Sequence, residues 1–186
     1  GFHGMIFTPE GTVYIDPLPN QSGVYHAYNR KDYTRFYEFT KGHQCEVEGE
    51  AYNVFDEIGE LPASSQSRSG EQLRTYRLAL ACTGEYAQFH GGTVSGVLSA
   101  MVVTMNRVNG VYEREFSITM QIIGNNDQLI YLNGNTDPYT NNSGGTMLGE
   151  NQSTVNSVIG SSNYDIGHVF STGGGGIASL GSVCNF

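Results

Sequence analysis

Histidine and cysteine are the side chains in this sequence best suited to hold a metal. There are five of the first (His3, His26, His43, His90 and His168) and three of the second (Cys45, Cys82 and Cys184). No two histidines have the i, i+4 spacing that puts both imidazoles on one helix face, and no His-Glu-x-x-His occurs. His43-Gln-Cys45 sets an imidazole and a thiol on the same side of a strand, but two ligands do not close a tetrahedral zinc site, and a turn with a solvated histidine accounts for the pair. Nucleophile chemistry fares no better. Ser95 and Ser179 lie near glycines, yet neither sits in a Gly-x-Ser-x-Gly elbow or has a base at a diagnostic spacing. The glycine runs at 91–92 and 173–176 lack both the Gly-Lys-Ser/Thr of a phosphate loop and the spaced dinucleotide fingerprint. Met101, Met105, Met120 and Met147 read as core and loop fillers.

Composition narrows the function classes further. The chain has 186 residues, 9 Lys+Arg against 18 Asp+Glu, and a formal net charge of -9. A nucleic-acid binder needs clustered cations to neutralise phosphates, and this sequence has none clustered. No run approaches the roughly 20 consecutive apolar residues of a membrane-spanning helix. Glycine is abundant, 25 residues against 5 prolines, which argues for many turns and close backbone approaches. The odd cysteine count leaves at least one thiol unpaired within the chain.

The elements that must position any site fall into two parts. Residues 1–63 read as short strands and turns: Gly11 to Asp16 and Gly23 to Tyr28 are β-branched and aromatic runs bounded by turns, and Tyr33 to Phe39 adds aromatics. Residues 64–72 are small and polar without periodicity, the signature of a linker. From Leu73 strands alternate with helical patterns. Leu73 to Cys82 becomes apolar on both faces towards its end, as a central strand covered by helices does. Thr93 is placed to cap a helix whose stripe is Val94, Val97, Leu98, Met101, Val102, Met105 and Val108, with a stop at Gly110. A second strand is expected over Phe116 to Ile122, a third at Leu129 to Leu132, a long loop over 133–149, a short helix near 150–160, and a fourth strand at Ile166 to Phe170. This order predicts an α+β fold, a twisted mixed β-sheet with packed helices, preceded by a small β-rich unit.

Three blocks are more specific: Arg74-Thr-Tyr-Arg-Leu-Ala-Leu-Ala-Cys-Thr-Gly-Glu-Tyr86, the segment Thr104 to Phe116, and Asn163-Tyr-Asp-Ile-Gly-His-Val-Phe-Ser171 followed by glycine-rich sequence and Cys184. In order and nearly without gaps over about 73–186, they resemble the bacterial reprolysin-like (adamalysin-type) zinc metallopeptidases of the metzincin clan. Lys31 to Tyr33 and Gly11 to Pro17 resemble the C-terminal part of that family's pro-segment.

The resemblance implies a fragment of a secreted zinc metalloendopeptidase that hydrolyses peptide bonds with zinc-activated water. It implies a pro-segment remnant at 1–63, a linker at 64–72 and, at 73–186, the upper part of a catalytic domain that stops before the zinc-binding helix. Both ends read as cut. No catalytic residue carries over, and the zinc ligands and general base would come from the remaining C-terminal half, so this chain alone is expected to be inactive. On the substrate side, Gly176, Ile177, Ala178, Ser179, Leu180 and Gly181 align with the family's upper-rim strand, which pairs antiparallel with an extended peptide substrate. Cys45, upstream of the linker, is a candidate latency thiol for zinc. Cys184 matches a position that bonds a later cysteine in the family, with Cys82–Cys184 the pairing open within this chain. Calcium is not expected, because no acidic residue opens the strand at Leu73 to Arg77. The rival reading is a non-catalytic peptide-binding or adhesion module sharing the sheet.

Overall fold

The structure, a computed structural model, describes residues 1–19, 21–30, 32, 45–48 and 72–179. Tyr33 to Phe39, His43, the 64–72 linker apart from Gln72, Leu180, Gly181 and Cys184 lie outside those residues. The chain divides into two compact units, Gly1–His43 and Gln44–Phe186.

In the first unit β1 (Gly4–Thr8), β2 (Gly11–Pro17) and β3 (Tyr25–Asn29) form an antiparallel meander in that order. Thr8 pairs with Gly11 across the tight β1–β2 turn, where Thr8 Oγ1 donates to the Gly11 carbonyl at 2.8 Å. Across β2 and β3, Asp16 collects Tyr28 Oη at 2.7 Å and His3 Nδ1 at 2.6 Å, while the Tyr14 and Tyr28 rings lie 5.7 Å apart. A charge-assisted hub and a tilted pair of tyrosine rings give this small sheet its cross-strand contacts.

The second unit contains β4 (Cys45–Glu48), β5 (Arg74–Cys82), α1 (Gly84–Phe89), α2 (Val94–Phe116), β6 (Ile118–Ile122), α3 (Gly144–Val158), β7 (Ile166–Phe170) and β8 (Gly176–Ser179). Its central sheet has the order β6-β5-β7, with both pairings parallel. The α+β class holds. The described strands of this central sheet all run one way, so the antiparallel member of a mixed sheet is not among them.

β5 is the axis of the unit because its two faces meet two different helices. Leu78, Leu80 and Cys82 point to one face with Val97, Met101 and Met105 of α2. Ala79 and Ala81 point to the other, with Met147, Val155 and Ile159 of the α3 region and with Leu129 and Tyr139. The run Leu78-Ala-Leu-Ala-Cys82 is therefore apolar on both faces, as its burial requires. Each fully buried Leu, Val or Met contributes about 1.5–3 kcal/mol of transfer free energy.

The neighbours of β5 are staggered, and side chains close the gaps. β6 pairs with it from Arg74 to Leu78 and β7 from Leu78 to Cys82. Past the end of β6, the Asn126 side chain accepts from the Leu80 N–H through Oδ1 at 2.8 Å and donates from Nδ2 to the Leu80 carbonyl at 2.8 Å. Asn126 is only 2% exposed, so its amide acts as a missing piece of strand in a place water does not reach. Before the start of β7, Asp165 plays the same part. Its Oδ2 accepts from the Arg77 N–H at 2.6 Å, its own N–H donates to the Arg77 carbonyl at 2.9 Å, and its carboxylate grips the Arg77 guanidinium at 2.7 Å. The Arg77 hydrogen bonds hold the Asp165 carboxyl below the usual carboxylate range. On β6, Asn109 of α2 donates to the Met120 carbonyl at 2.8 Å and accepts from its N–H at 2.9 Å. That covers part of a sheet edge.

Several local expectations are corrected. Gly110 does not stop α2, which runs to Phe116. A glycine costs about 1 kcal/mol in a helix, and the Asn109 clamp together with Val108 packed against the core outweighs it. The stop is Ser117, in the left-handed region at φ 54°, so β6 begins at Ile118 and Phe116 is helical. Val102 is 46% exposed, because the core-facing seam is the narrower Val97, Met101 and Met105. Leu129 to Leu132 is not a strand. Residues Asn126–Leu129 form a 3₁₀ turn that delivers Asn126 to β5, and Ile130 makes a single bridge to Cys82. α3 starts at Gly144, so the last part of the expected loop, 144–149, is helix. α1, not foreseen, is capped by Thr83, whose Oγ1 accepts from the Tyr86 N–H at 3.3 Å.

Replacing Asn126 by Leu leaves the N–H and C=O of Leu80 buried without partners. Urea unfolding is expected to show a loss of about 2–4 kcal/mol. A loss below about 0.5 kcal/mol would mean the amide is not what closes β5.

Candidate functional site

The residues aligned with a peptide-pairing rim fall on β8 and the turn before it. Gly176, Ile177, Ala178 and Ser179 form the strand, and Leu180 and Gly181 lie beyond the described residues. Gly176, Ala178 and Ser179 are exposed, and Ile177 is half-buried. Ile177 anchors the strand to α3: a Cβ built on Gly144, the first residue of α3, would stand 2.9 Å from Ile177 Cγ2. Only a glycine at the helix start lets the strand lie this close. Gly175, at φ 88°, makes the turn into β8.

The loop over 133–143 is braced at several points. Asp137 Oδ2 accepts from the Gly84 N–H at 2.6 Å at the start of α1, and its Oδ1 accepts from the Tyr139 N–H at 2.9 Å. A Cβ on Gly84 would fall inside the backbone of Asn133 and Gly134, so loop and helix start are in direct contact. Asn141 then links three elements. Its Oδ1 accepts from Thr83 Oγ1 at 3.1 Å and from the Thr172 N–H at 3.1 Å, and its Nδ2 donates to Thr172 Oγ1 at 2.9 Å. Thr140 binds Glu150 of α3 through both N–H and hydroxyl, each at 2.7 Å. The end of β5, the loop, α3 and the β7–β8 connection are thus joined by polar contacts that set where β8 begins. Thr83, Asp137 and Asn141 were not singled out from the sequence. The signals available were Thr83-Gly-Glu, a helix cap, and Asp137-Pro-Tyr139, a turn.

β8 is not a member of the β6-β5-β7 sheet. Its neighbour is β4, in parallel, with Cys45 opposite Gly176 and Glu48 opposite Ser179. The structure thus brings the backbone of Cys45 beside the rim segment.

Three of the histidines pack against aromatic rings. His90 sits between Tyr86 at 4.5 Å and Phe89 at 5.0 Å, and burial lowers its pKa, so the ring is neutral at pH 7. His26 rests edge-on against Tyr28 at 4.9 Å and His168 against Phe170 at 5.3 Å. Cys184 lies outside the described residues. Cys82 is a buried thiol with no disulfide among the described residues, and burial pushes it up to about 11. It is no nucleophile at neutral pH. Among the described residues no three His, Cys, Asp or Glu side chains are grouped to hold a metal ion. The described residues therefore do not fit a zinc site.

The family model for Metallo-peptidase family M12B Reprolysin-like matches residues 72–186. No curated protein and no solved structure matched the chain.

The brace is tested by Gly84→Ala. The added methyl would overlap the Gly134 backbone, which cannot move without releasing Asp137. A loss of about 3 kcal/mol in chemical unfolding is expected. A change within about 0.5 kcal/mol would show that loop and helix start are not in contact.

Proposed function

Because the chain belongs to the reprolysin-like M12B metallopeptidase family, we propose that it is part of a secreted, zinc-dependent metalloendopeptidase. The family is one of peptidases, so the substrates are peptides or proteins. Residues 73–186 are read as the upper part of the catalytic domain and residues 1–63 as the C-terminal part of a pro-segment.

The observation that carries this reading is the match over residues 72–186, the stretch that folds as the helix-covered sheet with β8 beside it. The sequence has no His-Glu-x-x-His, so the metal ligands and general base must come from a further segment of the same protein or from a companion chain. Bound there, zinc would supply a Lewis acid and an activated water. The part assigned to the present residues is substrate presentation. β8 carries small exposed residues, Gly176, Ala178 and Ser179, beside which an extended peptide would add a strand. Glycine and alanine there let another backbone approach closely.

The reading is tested with casein and a zinc chelator. The intact gene product that carries this sequence is expected to hydrolyse casein and to lose that activity on treatment with 1,10-phenanthroline, while the 186-residue chain alone hydrolyses none. An intact product that binds no zinc, cleaves nothing and still captures extended peptides would replace the peptidase reading with that of a peptide-binding module.

A further inference from the structure

The sequence contains two Asn-Gly pairs, Asn109-Gly110 and Asn133-Gly134. In such a pair the glycine nitrogen can attack the asparagine side chain, because no Cβ shields it and the backbone there is free to turn. The fold treats the two pairs oppositely.

Asn109-Gly110 lies inside α2. The Asn109 side chain is clamped at both ends, Nδ2 donating to the Met120 carbonyl at 2.8 Å and Oδ1 accepting from the Met120 N–H at 2.9 Å. Attack there has to break the clamp and turn the helix backbone out of its hydrogen-bonded ladder. Asn133-Gly134 lies in the braced loop, with Asn133 exposed. Its Oδ1 accepts from the Asn135 N–H at 3.0 Å, an Asx turn that swings the side chain over the Gly134 peptide. Among the described residues neither Asn133 Nδ2 nor the Gly134 N–H has a hydrogen-bond partner. Nucleophile and leaving group are thus both unengaged. The Asn135 N–H already sits on the oxygen where negative charge grows during attack.

We propose that Asn133 is a spontaneous modification site, at which the fold permits conversion of asparagine to aspartate and isoaspartate while Asn109 is protected. The Gly134 nitrogen bonds to Asn133 Cγ, the Cγ–Nδ2 bond breaks, and ammonia leaves with the Gly134 proton, closing a succinimide ring. Water then opens the ring. Cleavage at Cγ leaves aspartate; cleavage at the main-chain carbonyl leaves isoaspartate, whose extra methylene lies in the backbone. No reagent other than water is consumed.

The change matters because the site has no slack. The Asn133 carbonyl accepts from the N–H groups of Thr136 at 3.1 Å and Asp137 at 3.0 Å. A Cβ built on Gly84 would overlap Gly134 N and the Asn133 carbonyl carbon, and one built on Gly134 would stand 2.5 Å from Glu85 Oε1. Glu85 Oε2 is buried without a hydrogen-bond partner. A lengthened backbone and a new carboxylate therefore arrive one residue from the glycine against which Glu85 lies, at the root of the Asp137–Gly84 contact. Conversion at Asn133 is an ageing step that loosens the brace on which the start of β8 depends.

The test ages the whole chain in mildly alkaline buffer, folded and in urea, and follows both sites by mass spectrometry of chymotryptic peptides prepared at acidic pH, where conversion is slow. With each folded-state rate divided by the same site's rate in urea, Asn133 is expected to convert at least about tenfold faster than Asn109, which must wait for its helix to open. Isoaspartate should exceed aspartate at Asn133, the signature of the succinimide. Asn133 protected as strongly as Asn109 would overturn the proposal, and so would aspartate alone. The effect on the brace is read from the Gly84 amide, which should exchange with deuterium at least about tenfold faster in the aged chain than in the fresh one. An aged Asn133→Gln chain, whose longer side chain closes a ring far more slowly, should show no such change. Gly84 exchange that stays the same in converted protein, or that rises equally in Asn133→Gln, would overturn the claim that the modification loosens the brace. Neither readout involves substrate hydrolysis, so the proposal stands apart from the peptidase reading.

Discussion

The pair of hydrogen bonds between the Asn126 amide and the backbone of Leu80 is the constraint on which the second unit depends. β5 is longer than either of its neighbours on the side each occupies, so part of its backbone would be buried without partners. A buried unpaired N–H or C=O costs about 1–3 kcal/mol. The fold answers with side chains that imitate a strand: Asn126 beyond β6, Asp165 before β7, and Asn109 on β6 itself. With β5 closed along its length, Leu78, Leu80 and Cys82 hold α2 on one face while Ala79 and Ala81 receive Leu129, Tyr139 and α3 on the other. α1 starts directly after β5, Asp137 and Asn141 tie the following loop to that junction, and α3 carries the anchor for Ile177. The position of β8 is thus inherited step by step from β5.

Much of this was legible in the residues, and the failures have specific causes. β5, the Thr93 cap and β7 were readable because their signals are local: a run apolar on both faces, a capping hydroxyl before an apolar stripe, and a short segment carrying Ile166, Val169 and Phe170. Gly110 misled because a glycine's cost of about 1 kcal/mol is small beside tertiary contacts that no window of sequence displays. Leu129 to Leu132 looked like a strand because it is apolar, but the turn before it is shaped by the need to bring Asn126 to Leu80, a partner 46 residues away. The first turns of α3 were read as loop because Gly144, Gly145 and Gly149 are poor helix formers; contact with Ile177 is what makes a glycine necessary at the first of these. The bracing of Asp137 and Asn141 was invisible for the same reason, since a polar residue shows its partner only in three dimensions.

The functional side divides similarly. Family membership could be read from three blocks of sequence, and those blocks fall on β5 with the start of α1, on the second half of α2, and on β7 with the segment leading into it. They are scaffold, which explains why a strong resemblance coexists with no metal-ligand set among the described residues. Under the proposed function, the part of a peptidase site assigned to these residues is the holding of an extended chain. Its chemistry is backbone hydrogen bonding, which small side chains permit and which no motif search for acids, bases or nucleophiles detects. The parallel pairing of Cys45–Glu48 with β8 shows that the edge accepts an extended segment in this fold.

β5 is the fixed point of the unit, and the Asn126 amide makes it so. Residue-resolved amide hydrogen exchange addresses this directly. The Leu80 N–H is expected to exchange only through global unfolding, with a protection free energy equal to the stability measured by urea and among the highest in the chain. A Leu80 amide that exchanges through local opening, faster than the amides of β6 or α2, would contradict it.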